Sequence, residues 1–270
     1  VTAMVLANGG YESNSLRVNI KNNIDDTAPE IESVSPASGG KGQYVTIMGR
    51  NFGKNVGQVY FYKDTATTPP TPWEFFTGSF DFPTQCDGAV WNDNKILVKI
   101  PSSTSEVVGE TTFPTIGVNY YIKIVKADTR TSLVRNDIRF LVSSTLPSPG
   151  ICKLEPANGL IGTNVTAYGE NFGTDLATSK LYFWTNSANN NNLTGRVSSV
   201  TDVLEYPKLT TKVPSGAVSG QVNIGISGVK KGNSLDFTVE DCTKNKTICN
   251  DTQQCCSGGA DNGICKATTE

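Results

Sequence analysis

The chain has 270 residues, with 23 Lys plus Arg against 25 Asp plus Glu and no histidine, for a net charge of −2 and a pI near 5.4. That length holds two or three domains of ordinary size, and the balanced charge gives no electrostatic footprint for nucleic acid or an anionic membrane. The lack of histidine excludes Ser-His-Asp and Cys-His catalysis, histidine bases and histidine metal ligands together, and no apolar run approaches membrane-spanning length.

Residues 1–22 read as a β-hairpin: two alternating stretches around the turn Asn8-Gly9-Gly10. Their end, Ser15-Leu16-Arg17-Val18-Asn19-Ile20, has the pattern of Ser234-Leu235-Asp236-Phe237-Thr238-Val239. The segment is therefore expected to be the last two strands of a preceding unit, in a chain cut from a longer precursor. A lone hairpin is marginal, so it needs a partner: upstream sequence, the next unit or another chain. Lys21 to Ala28 reads as a solvated polar linker, with Asp25 and Asp26 weighed as calcium ligands and set below that reading.

Residues 29–143 carry the pattern of a complete β unit, with strands expected at Glu30–Ser35, Tyr44–Gly49, Gln58–Lys63, Ile96–Ile100, Val118–Lys126 and Asp137–Val142. The centre is Val45-Thr46-Ile47-Met48-Gly49-Arg50-Asn51-Phe52-Gly53, which recurs 120 residues later as Val165-Thr166-Ala167-Tyr168-Gly169-Glu170-Asn171-Phe172-Gly173. Upstream, Pro36, Ala37, Gly39 and Gly42 match Pro156, Ala157, Gly159 and Gly162 at the same offset, so the chain is read as repeats. Gly49 and Gly169 are expected at a bulge or a positive φ. Asn51 and Asn171 suit the left-handed region. Phe52 and Phe172 should fold back into a core, and Gly53 and Gly173 release the chain. The function expected of this motif is structural.

Between the third and fourth of these strands lies an insertion, residues 64–94, with Trp73, Phe75, Phe76, Phe80 and Trp91 as candidate ligand or partner contacts. Such a loop is usually functional or packed on its domain. One reading is an aromatic platform for sugars or proteins. The preferred reading packs the aromatics against the sandwich, since a patch of that density invites aggregation. Its carboxylates Glu74, Asp81, Asp87 and Asp93 are read as solvated loop acids rather than a glycosidase pair. No phosphate-binding glycine loop is present, because Gly39-Gly40-Lys41-Gly42 lacks the spacing. No catalysis and no cofactor are expected.

After a Pro-rich linker, Thr145 to Gly150, residues 150–240 repeat the frame: Tyr182-Phe183 matches Tyr60-Phe61, and Lys212-Val213-Pro214-Ser215 matches Lys99-Ile100-Pro101-Ser102. Here the corresponding insertion, Asn186 to Thr194, is an Asn-rich loop without aromatics. Repeats that share a frame and differ in one loop place any specificity in that loop.

The run of Pro, spaced glycines and Val-Thr-Ile-x-Gly-x-Asn-Phe-Gly resembles the start of an IPT/TIG domain, and both copies carry it. The resemblance implies an all-β fold of tandem immunoglobulin-like β-sandwiches and covers nearly all of residues 1–239. It says little about function, since the fold serves adhesins, receptors, carbohydrate-active enzymes and transcription factors.

Five of the seven cysteines (Cys242, Cys249, Cys255, Cys256 and Cys265) fall in residues 241–270. Their spacing resembles the opening of a knottin-like module, read as incomplete with a sixth cysteine beyond Glu270. A segment this small depends on disulfides rather than a core. Cys86 and Cys152 remain, and are expected to pair with each other: the insertion lies where the chain leaves for the next unit, and Cys152 opens that unit. Cys152 and Cys242, at opposite ends of one sandwich, are too far apart for the Cα separation of roughly 4.4–6.8 Å that a disulfide needs. The cysteines point to an oxidising compartment. Sequons occur at Asn164, Asn192, Asn245 and Asn250.

These features together suggest an extracellular or cell-surface structural or adhesive protein acting as a stalk or filament. Its partners would be other protein chains at the cell surface, itself included as a homopolymer, and glycans; neither nucleic acid nor membrane insertion of this segment is expected. Two alternatives are a filament subunit joined by strand addition and a carbohydrate-binding accessory region of a larger secreted enzyme.

Overall fold

The computed structural model describes residues 28–63, 75–101, 114–135, 137–173, 177–185, 190–194, 197–201, 207–226 and 230–240, and four two-residue strands at 2–3, 16–17, 253–254 and 266–267. Trp73, Glu74, Cys242, Cys249, Cys255, Cys256 and Cys265 lie outside the described residues.

The chain is all-β, with a single 3-10 turn, Thr84–Cys86, among the described residues. β1 (Thr2–Ala3) pairs antiparallel with β2 (Leu16–Arg17). Eight strands follow: β3 (Glu30–Ser35), β4 (Ser38–Gly39), β5 (Tyr44–Arg50), β6 (Gln58–Lys63), β7 (Phe75–Thr77), β8 (Lys95–Lys99), β9 (Asn119–Val125) and β10 (Arg139–Val142). They form a three-stranded sheet, β3-β5-β8, and a five-stranded sheet, β4-β10-β9-β6-β7. The inward residues of both sheets, Val45 and Ile47 on one side and Phe61, Ile122 and Phe140 on the other, close into one buried core. That is a β-sandwich of the immunoglobulin-like class.

A second sandwich is built the same way from β11 (Gly150–Glu155), β12 (Asn158–Gly159), β13 (Asn164–Glu170), β14 (Ser179–Thr185), β15 (Asn190–Thr194), β16 (Val197–Thr201), β17 (Lys208–Lys212), β18 (Gly220–Ile226) and β19 (Lys230–Val239). Its sheets run β11-β13-β17-β16 and β12-β19-β18-β14-β15 around their own core. β20 (Gln253–Gln254) pairs with β21 (Lys266–Ala267).

Two stretches read as insertion or loop supply edge strands instead. Phe75-Phe76-Thr77 alternates, with Phe76 buried, and pairs along β6 as β7. Part of the Asn-rich stretch pairs along β14 as β15, so polar side chains here do not prevent an edge strand from forming.

The Asn-Phe-Gly motif works by sterics. Asn51 and Asn171 both sit at φ 61°, and Gly53 and Gly173 at φ 80° and 70°. Phe52 and Phe172 are fully buried, each burial contributing about 1.5–3 kcal/mol. Gly49 does not adopt a positive φ; a Cβ on it would stand 1.9 Å from the Glu30 carbonyl oxygen, and one on Gly169 would stand 1.8 Å from that of Gly150. These glycines permit close approach of the neighbouring strand. The bulge lies in that neighbour: Ile31 pairs with Gly49 and Ser33 with Met48, leaving Glu32 extra, and the same shift in β11 leaves Cys152 extra.

Candidate functional site

Two places gather chemically capable side chains: the junction between the sandwiches and the outer face of the first five-stranded sheet.

The junction is built on the outward side of β5 and β8. Alternation along these strands turns Val45, Ile47, Ile96 and Val98 into the core. Tyr44, Thr46, Leu97 and Lys99 therefore point away from that core, yet Tyr44, Thr46 and Leu97 are fully buried. The second sandwich, through Gly150, Cys152 and Asn233, and the insertion, through Phe82, Cys86 and Val90, together cover them. Cys152, as the bulge residue of β11, is turned out of its own core. It joins Tyr44, Cys86 and Leu97 in a small apolar cluster, with Phe82, Val90 and Tyr168 packed on it. Cys86 and Cys152 form a disulfide with Cα atoms 5.5 Å apart. The pairing expected from the sequence is present, but the contact is on the outer face of a sheet and not confined to one pole.

Polar groups lock the same surface. Lys99 Nζ donates to Glu170 Oε1 at 3.1 Å and to the Asp81 carbonyl at 2.7 Å, and it lies over the rings of Tyr44 and Phe82 at 5.5 and 5.7 Å. The Asn233 amide is fully buried. Its Oδ1 accepts from the Ile151 N–H at 2.8 Å, and its Nδ2 donates to the Ile151 carbonyl at 2.7 Å and to Thr46 Oγ1 at 2.9 Å. The linker is held as well, since Ser148 N–H donates to the buried Gln43 Oε1 at 3.0 Å. Burial first, and the nearby Glu170 carboxylate second, push the Tyr44 phenol far above its ordinary range. Burial lowers the Lys95 ammonium, and the Asp236 carboxylate across the junction opposes that shift. No group of three or more His, Cys, Asp or Glu residues among those described is placed to hold a metal ion.

The aromatic insertion is divided by the pleat. Phe76 is buried, stacked on Phe61 with centroids 4.7 Å apart and edge-on to Tyr120 at 4.9 Å. Trp91 is buried too; its Nε1–H donates to the Phe52 carbonyl at 3.2 Å, and Phe80 packs against it at 5.9 Å. These three do not form a solvent-facing platform. Asp93 ties the motif loop, accepting from the Gly53 N–H at 2.9 Å, and Asp87 is exposed.

Phe75, one residue before Phe76, points the other way, where it meets residues the sequence reading passed over. In register across four strands stand Phe75 on β7, Tyr62 on β6, Tyr121 on β9 and Arg139 on β10. In the next row Lys123 stands beside Tyr60. Phe75 lies 5.3 Å from Tyr62 and 5.4 Å from Tyr60. Lys123 Nζ sits 5.7 Å over the Tyr62 ring. The Arg139 guanidinium lies 4.9 Å over the Tyr121 ring and donates to its hydroxyl at 3.0 Å. All six side chains are partly exposed. The legible signal was the period-two spacing of Tyr60 and Tyr62 about the inward Phe61.

The IPT/TIG domain family model matches residues 29–78, the part that holds the first Asn-Phe-Gly motif and the edge strand with Phe75. A search of curated proteins returned no match. Similar solved structures include one described as a crystal structure with xylogluco-oligosaccharide (16% identity, TM-score 0.27, covering 82% of this chain and 41% of that one). Others are a gamma-CGTase from Alkalophilic bacillus clarkii (17%, 0.28, 87% and 30%) and SGBP-B from a complex xyloglucan utilization locus in Bacteroides uniformis (20%, 0.25, 78% and 49%). This chain spans less than half of each of the three, and TM-scores this low carry no functional inference.

Proposed function

We propose that this is an extracellular structural or adhesive protein of the cell surface, without catalysis, in which the units at 29–143 and 150–240 act as one stiff body. The observation that carries this reading is the junction. Paired domains move relative to one another unless their interface is large and apolar or otherwise fixed. Here the interface has a disulfide, an apolar cluster, a Lys99–Glu170 ion pair and a fully buried Asn233 bonded to both sides. The cystine supports an oxidising compartment. Residues 1–22 as the last two strands of a preceding unit, and 241–270 as a Cys-rich module, extend the same reading to an array used as a stalk or filament.

Electron microscopy of the purified chain, with and without residues 1–20, tests it. Isolated bodies with one fixed angle between the sandwiches, in both forms, are the expected result for a stalk segment. Regular polymers seen only when residues 1–20 are present would make it a filament subunit joined by strand addition. A spread of angles between the sandwiches in the oxidised protein would overturn the stiff-body reading.

A further inference from the structure

We infer that the outer face of the first five-stranded sheet is a binding site for an acidic glycan, a linear oligosaccharide carrying carboxylate or sulfate groups. The inference is independent of the junction and goes beyond a structural role. The row Phe75, Tyr62, Tyr121 and Arg139 crosses four strands in register. Neighbouring strands are about 4.8 Å apart, close to the length of one sugar ring. The row therefore offers aromatic surface at Phe75, Tyr62 and Tyr121 at about the spacing of successive sugar rings, beside the cations that lie over the two tyrosines. The flat C–H faces of the sugars meet aromatic surface that is already partly dried by packing of Phe75 on Tyr60 and Tyr62.

Charge decides between a neutral and an acidic chain. Lys123 and Arg139 stand on this face, each held against a tyrosine ring. No Asp or Glu occurs within β6, β7, β9 or β10. Asp137, just before β10, is held by Arg135 through both oxygens, at 3.0 and 2.7 Å. Asp64 and Glu74 adjoin β6 and β7 in sequence, whereas Lys123 and Arg139 stand within the strands themselves. A guanidinium fixed by the Tyr121 hydroxyl at 3.0 Å is preorganised for a carboxylate or sulfate. The ring-held cations lose little rotamer freedom on binding.

The test is isothermal titration of the whole chain with three probes: oligogalacturonate, a heparin-derived oligosaccharide and a neutral cello-oligosaccharide. Binding of at least one acidic probe is expected, weakening as salt screens the cations, with much weaker binding of the neutral one. The two acidic probes separate carboxylate from sulfate recognition. Tyr62→Ala should weaken binding roughly tenfold and Lys123→Gln up to about fivefold. Lys54→Gln, an exposed cation elsewhere, should change nothing. Lys123→Gln keeps the test decisive should Tyr62→Ala fail to fold. The inference is overturned if neither acidic probe binds, if the neutral probe binds as well, or if Lys54→Gln weakens binding as much as Lys123→Gln. It is equally overturned if sedimentation shows self-association that Tyr62→Ala abolishes while glycan binding stays absent, which would make the face a protein–protein contact.

Discussion

The buried Asn233 amide is the sharpest place to test whether the two sandwiches are coupled. In Asn233→Ala three hydrogen bonds disappear, two to the Ile151 backbone and one to Thr46 Oγ1. A buried bond is worth about 1 kcal/mol net, and each stranded buried partner costs about 1–3 kcal/mol. With its partners buried as well, a loss of about 3–5 kcal/mol is expected. For a unit of this size 1 kcal/mol moves the midpoint by about 4–8 °C, so the transition of the second sandwich should fall by roughly 12 °C or more in scanning calorimetry. Thr46→Val keeps the shape and removes only the bond that crosses the junction, at about 1 kcal/mol. In the double mutant the costs should fall short of additive by about 1 kcal/mol, because the crossing bond can be lost only once. A change below about 2 °C for Asn233→Ala would refute the claim that this amide is needed. Strict additivity would show that the crossing bond couples nothing.

Further outcomes follow from the same geometry. Replacing both Cys86 and Cys152 with Ser opens a loop of 66 residues and should cost about 4 kcal/mol by the chain-entropy relation, read as a lowered denaturant midpoint. Since both cysteines are fully buried, thiol titration of the native protein in reductant should release this pair only after denaturant is added. Gly169→Ala places a Cβ 1.8 Å from the Gly150 carbonyl oxygen; β11 must move, at a cost of roughly 1–3 kcal/mol, and scattering curves should report a changed angle between the sandwiches. Lys95 has a lowered folded-state pKa, caused first by burial. Between that value and the unfolded one the unfolded state binds more protons, so the parent gains stability as pH rises through the window. Lys95→Met should therefore be more stable than the parent at neutral pH, with the gap narrowing toward pH about 10, as measured by urea unfolding across pH.

Strand positions were legible because the core imposes period two on Val45, Ile47, Phe61 and Ile122, and sandwich interiors leave little choice of residue at such positions. The motif was legible as structure for the same reason, although the role of Gly49 was not. Positive φ and close strand approach both call for glycine, and only the distance to Glu30 separates them. The aromatic insertion was read as one object, whereas the pleat sends Phe75 outward and Phe76 inward. A run of adjacent aromatics in a sequence has no face until a strand assigns it one. The outer row is not legible in the sequence because its members come from four segments between positions 62 and 139, and only register brings Tyr62, Tyr121 and Arg139 together.

The junction illustrates how a repeated frame acquires a particular use. Both copies have the same bulge opposite Gly49 and Gly169, so the backbone turns one side chain away from each core. In the first copy that side chain is Glu32, which lies exposed; in the second it is Cys152, which is fully buried against Cys86. Likewise Arg50 pairs with Glu30 at an exposed edge, while its counterpart Glu170 reaches across to Lys99. The frame fixes where the side chains go, and the residue placed there decides between solvent and a neighbour. A Glu32→Cys substitution should accordingly give a thiol that reacts freely with Ellman's reagent in the native protein, whereas Cys152 is held in the buried disulfide with Cys86. If the thiol introduced by Glu32→Cys were instead buried and unreactive, the bulge would not aim its side chain outward, and the burial of Cys152 would have another cause.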